Sequence, residues 1–86
     1  MDKKIFDERK NIHIIVAYNI KKYRKQTKIT QAKLSEMVDL SHEFIRRIES
    51  KNGQKSFSLE TVYRISLALD VPIYKFFEDN TQELES

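Results

Sequence analysis

At 86 residues the chain is long enough for one domain with one modest core and too short for a large catalytic cleft. It contains no cysteine, so neither a disulfide nor a redox switch is available, and the core must come from Leu, Ile, Val, Phe and Tyr, as suits a reducing cytoplasm. The net charge of +3 hides a gradient: residues 1–28 carry nine Lys or Arg against three acids, residues 29–57 five against four, and residues 58–86 two against six. A basic end opposed to an acidic one suits a molecule that turns one side to polyanionic phosphate, although solvated helix faces account for the same counts.

Residues 1–10 are expected to form a charged N-terminal tail, with Lys3 and Lys4 followed by Asp7, Glu8 and Arg9 where a signal peptide would be apolar. The apolar stretch Ile12 to Ile20 is interrupted by His13, Tyr18 and Asn19, and it is about half the length of a membrane span. The chain is therefore expected to remain cytoplasmic. From Ile12 to about Gln26, the positions Ile12, Val16, Ile20 and Tyr23 recur at helical spacing, with Asn19 on the same stripe. Thr30 is placed to cap a second helix through Val38, with Leu34, Met37 and Val38 inward. Ser41 caps a third running to about Ser50, with Ile45 and Ile48 inward and His42, Glu43, Arg46 and Arg47 outward. The stretch Lys51 to Phe57 reads as a loop centred on Asn52-Gly53. Ser58 then caps a fourth helix with Leu59, Val62, Ile65 and Leu69 on its buried stripe, and Pro72 opens a last helix to about Phe77. The domain is set at residues 11–79, followed by an acidic tail over 80–86.

Two short helices joined by a tight turn form a helix-turn-helix, whose second helix enters the major groove of DNA. In the run QAKLSEMVDLSHEFIRRI, Leu34, Val38, Leu40, Ile45 and Ile48 fall where they meet in one small core. With Ile20 and Arg24 before that run, Glu49 after it, and SLETVYRISLALDVPIYKFF at the end, the sequence resembles the lambda-repressor-like helix-turn-helix family, also called the xenobiotic-response-element family. The resemblance covers about Val16 to Phe77. It implies an all-α, compact five-helix DNA-binding domain with the motif at the second and third helices. Four departures stand out: Ser35 where the family usually has Ala, Asp39 and Asp70 where it usually has Gly, and a loop after Glu49 about two residues longer than the family's commonest form. Asp tolerates the left-handed conformation better than most residues, so both turns are expected to survive.

The same resemblance implies roles. Arg24 and Glu49 match a pair that ties the first helix to the end of the third. Gln31 lies where the family sets an amide and a helix N-terminus against a phosphate. Ser41, His42, Glu43, Phe44 and Arg47, with Arg46 alongside, match the face that meets the major groove. There Arg47 suits guanine, Glu43 the amino group of cytosine and Phe44 a thymine methyl. Phe44 serves equally as a core edge or a subunit contact, Arg46 as a phosphate contact, and Glu43 as a first-turn charge. Lys51, Asn52, Gln54 and Lys55 are expected to hold the flanking backbone, with Gly53 allowing close approach.

Other chemistries find little support. His13 and His42 lack metal-ligand spacing, there is no Gly-rich phosphate loop, and no nucleophile triad is arranged on a rigid scaffold, so neither an enzyme nor a cofactor is expected. The expected function is a transcriptional regulator, most simply a repressor, acting on double-stranded DNA as a homodimer, because one recognition helix spans only a few base pairs. Ile73 and Phe76 are expected to close the monomer core, leaving Tyr74 and Phe77 for the subunit interface. The competing readings are a protein-interaction module on the same scaffold, such as an antitoxin, and the controller of a restriction-modification operon.

Overall fold

The computed structural model describes residues 11–50 and 56–81. They form four α-helices, α1 (Ile12–Gln26), α2 (Gln31–Val38), α3 (His42–Ile48) and α4 (Leu59–Leu69), followed by a 3₁₀ helix at Ile73–Phe77. The fold is all-α as expected, but its fifth element is not an α-helix. After Pro72 the chain closes at once with an i to i+3 bond, Lys75 N–H to the Pro72 carbonyl at 3.0 Å, and only five residues follow in helical form.

Each α-helix begins on a side-chain cap. Asn11 Oδ1 accepts from the His13 amide, and Thr30, Ser41 and Ser58 hydroxyls accept from the amides of Lys33, Phe44 and Thr61. Three of the helices also end alike. A left-handed residue, Lys28, Asp39 or Asp70, with φ of 61°, 57° and 56°, turns the chain at the end of α1, α2 and α4. The next amide, of Ile29, Leu40 or Val71, then bonds the carbonyl five residues back at 3.0 to 3.1 Å. Those three following residues are apolar and pack against the core, so each turn both stops a helix and aims a side chain inward. The two aspartates thus occupy the left-handed turns expected of them.

The core is one cluster in which Val16, Ala17 and Ile20 of α1, Leu34 and Val38 of α2, Ile45 and Ile48 of α3, Val62, Ile65 and Leu69 of α4, and Phe76 meet. Ile12, Met37 and Leu59, expected inward, are exposed. In α2, Ser35 and Met37 flank the Leu34–Val38 stripe on opposite sides, each roughly 80° from its centre, and the side that packs is that of Ser35. Ser35 takes the inward place, its hydroxyl donating to the Ala32 carbonyl at 2.6 Å. Ile12 and Leu59 each stand in a first helical turn, at the rim of a 140 Å³ groove floored by Val16, Phe57 and Val62. α3 stops at Ile48, short of Ser50, with Glu49 as its cap residue.

A buried asparagine locks the C-terminal segment to α1. Asn19 Nδ2 donates to the carbonyls of Phe76 and Glu78, both at 2.8 Å, and Asn80 Nδ2 donates to Asn19 Oδ1 at 2.9 Å. Asn80, placed by sequence in the acidic tail, is thereby tied to the domain. Tyr23 adds an edge-to-face contact on Phe76, with ring centres 5.3 Å apart. Among the described residues no helix is long and apolar enough to cross a membrane.

Candidate nucleic-acid interface

α2 and α3 meet across the turn Asp39-Leu40-Ser41, with Leu34, Val38, Ile45 and Ile48 buried between and beneath them. Because Ile45 and Ile48 fix the inner side of a seven-residue helix, His42, Glu43, Arg46 and Arg47 stand exposed on its outer side. Ser41 uses its oxygen to cap α3, leaving its hydroxyl proton for an outside acceptor. Phe44 lies half-buried against the core, so of the roles open to it the packing role has the clearest structural support.

Behind this surface sits the expected ion pair. Arg24 Nε donates to Glu49 Oε2 at 2.7 Å and Nη2 to Oε1 at 2.9 Å, both residues being buried. Nη1 is used as well, donating to the Ile29 carbonyl at 2.8 Å. The carboxylate takes one more bond that the sequence did not suggest. Gln31 Nε2 donates to Glu49 Oε1 at 3.0 Å, so the first residue of α2 is oriented by the end of α3. Gln31 is only half-buried, so its side-chain amide can also be reached from outside. No described side-chain polar atom that is buried lacks a hydrogen-bond partner.

The exposed side of α3 carries its own ionic network. Arg46 donates to Glu43 from Nε at 2.9 Å and from Nη2 at 2.6 Å, and Arg47 Nε lies 3.5 Å from Glu43 Oε2. The hydrogen bond from Arg46, with the nearby charges of Arg46, Arg47 and His42, holds the Glu43 carboxyl below its ordinary range and raises the Arg46 guanidinium. Spacings of three and four residues on a helix signal this contact in the sequence, where Glu43 was read only as a base contact or a first-turn charge. Asn19 was visible as a polar residue on an apolar stripe, but its partners lie more than fifty positions away. Lys51, Asn52, Gly53, Gln54 and Lys55 lie outside the described residues. His13 stacks edge-to-face on Phe57 at 5.1 Å, and among the described residues no group of potential metal ligands converges.

A helix-turn-helix family model matches residues 20–76, more than half of the chain. The protein belongs to the lambda-repressor-like helix-turn-helix family. The hypothetical transcription factor NHTF from Neisseria superposes on it with a TM-score of 0.73 at 19% identity, covering 86% of this chain and 81% of that one, a likeness of fold. The master regulator for biofilm formation SinR, solved in complex with DNA, superposes with a TM-score of 0.66 at 25% identity, covering 73% of this chain and 98% of that one. No curated protein matches the sequence. Membership makes the chain a DNA-binding regulator.

Proposed function

We infer that the protein is a transcriptional repressor that binds operator DNA as a homodimer, with α3 in the major groove. The observation that carries this reading is the division of α3, whose apolar residues are all packed and whose outer side offers His42, Arg46 and Arg47 beside a Gln31 amide held in place by Glu49. Arg47 is the base reader, its exposed guanidinium standing on the outer side of α3 for guanine O6 and N7. Gln31, Ser41 and Arg46 anchor phosphates, and Lys51, Asn52 and Lys55 extend that contact along the flanking backbone. Selecting bound duplexes from a random pool and titrating them against salt tests the reading. Affinity is expected to fall steeply, with a log–log slope of roughly −0.9 for each phosphate neutralised. An affinity flat in salt for every duplex, or no binding at all, overturns it.

The dimer is supported by Tyr74 and Phe77, 61% and 39% exposed beside a fully buried Phe76. Phe77 also lines the apolar groove with Ile12 and Leu59, which extends the patch across three elements. Phe77→Glu is expected to give a folded monomer that binds a palindrome hardly better than a half-site, as sedimentation and half-site titration measure. A wild type that sediments as a monomer at high concentration refutes the dimer. That outcome leaves the exposed Leu59, Tyr63 and Leu67 of α4 as the surface for a different protein, the antitoxin-like reading.

A further inference from the structure

We propose that Glu43 sets the ratio of specific to non-specific DNA binding by competing with phosphate for the arginines of α3. The inference rests on the DNA-binding reading above and assigns a role to a residue whose charge repels every phosphate it would meet.

The carboxylate engages both arginines at once. Arg46 turns its Nε and Nη2 edge onto the two Glu43 oxygens, and Arg47 Nε approaches one of them at 3.5 Å. That guanidinium edge is one a phosphate takes, and the one a guanine takes in the major groove. A duplex of unrelated sequence therefore meets arginines already engaged, beside an anion that its backbone repels. To use them it must displace Glu43 and leave a carboxylate without a partner against a polyanion. Protonation offers no escape near neutrality, because the Arg46 hydrogen bond favours the ionised form.

A matching sequence changes the exchange. Where a cytosine amino group lies under Glu43 and a guanine under Arg47, the carboxylate trades one donor for another and the Arg47 guanidinium exchanges a single contact for a bidentate one. Pairings are then exchanged, while on a mismatched duplex they are lost. In the free protein the network is a surface ion pair of small value, so its consequence lies in the bound states and not in folding. Its position also matters. A second exposed arginine–carboxylate pair, Arg64 with Glu60 on α4 at 2.8 Å, lies off the face of α3, with Arg64 Nη1 reaching the Val38 carbonyl at 3.5 Å.

That second pair supplies the control. Glu43→Gln keeps the shape and an acceptor oxygen while removing the charge, and Glu60→Gln removes the same charge elsewhere. Affinities for a selected operator and for an unrelated duplex are measured from about 50 to 200 mM salt, alongside thermal melts. Glu43→Gln is expected to tighten the unrelated duplex on the order of tenfold at low salt and to steepen its salt slope by about one. The operator is expected to move less than about threefold, so the ratio falls, and Glu60→Gln is expected to behave as wild type. An unrelated duplex bound no more tightly, an equal gain on both duplexes, or the same gain in Glu60→Gln overturns the proposal. A wild type that binds with a steep salt slope beside a matching Glu43→Gln overturns this role alone, and a wild type that binds no duplex overturns it together with the DNA-binding reading.

Discussion

Arg24 and Glu49 meet at 2.7 and 2.9 Å beneath the surface, whereas Arg46 and Glu43 meet at 2.6 and 2.9 Å on top of it. The geometry is the same two-pronged fork in both. Side-chain exposure of 9% and 1% in the first pair, against 57% and 59% in the second, separates their roles. Buried charges are costly unless they are paired and further hydrogen-bonded, and here the Ile29 carbonyl and the Gln31 amide each add a bond to the fork. Twenty-five positions separate Arg24 from Glu49, so their bond fixes α3 on α1. Arg46 and Glu43 stand three apart on one helix, constrain nothing beyond it, and can exchange partners with a ligand.

The strongest way to break this comparison is Glu49→Ala, which leaves a guanidinium buried without its counter-charge. A loss of about 3–5 kcal/mol is expected in denaturant or thermal unfolding, as for other half-removed buried pairs. A loss comparable to that of a surface substitution would show that the fork is not what holds α3. Replacing both partners by apolar residues, Arg24→Met with Glu49→Leu, sharpens the point. Stability is expected within about 2 kcal/mol of wild type, since no charge remains unpaired. DNA affinity is nonetheless expected to fall, because Gln31 has lost the acceptor that orients it. Weaker still on stability is Arg47→Ala on the exposed face, within about 0.5 kcal/mol. Its effect belongs to recognition, where the operator is expected to lose about 1–3 kcal/mol of its preference. An Arg47→Ala protein that melts normally and remains fully selective removes Arg47 from the base-reading role.

Much of this architecture was legible because local rules and the global fold agree. Thr30, Ser41 and Ser58 each precede a periodic apolar run and each caps it. Asp39 and Asp70 mark left-handed turns through a tolerance specific to their side chains. Lys28 has no such signal, and its φ of 61° follows from the pull of Ile29 into the core. Met37 and Leu59 were placed inward because a periodic pattern fixes which residues share a stripe but not how far the stripe extends around the helix. The Arg24 fork came from a family pattern, while the Gln31 bond to it depends on how α2 docks on α3, which no spacing within either helix encodes. Asn80 is similar, for its partner Asn19 is reached only after the chain has closed around Phe76.

The smallest expected effect is the acid titration of Glu43, and it bears on whether the outer pair is exchangeable at neutral pH. Its carboxyl is held below the ordinary value of 4.5, chiefly by the Arg46 hydrogen bond and then by the charges of Arg46, Arg47 and His42. A group whose folded pKa is depressed adds stability that is fully present above its unfolded value and is lost as pH falls through the folded one. Any difference in melting temperature between wild type and Glu43→Gln is therefore expected to hold constant from about pH 7 to pH 5 and to close only in more acid solution. Carboxyl titration by NMR is expected to place the midpoint below 4.5. A midpoint at or above that value shows that Arg46 does not hold the carboxylate in solution, and the competition assigned to Glu43 then loses its preformed pair. A lower midpoint means that an approaching phosphate meets a Glu43 already paired with Arg46, so the only partner able to release the arginines without loss is one that satisfies the carboxylate as well.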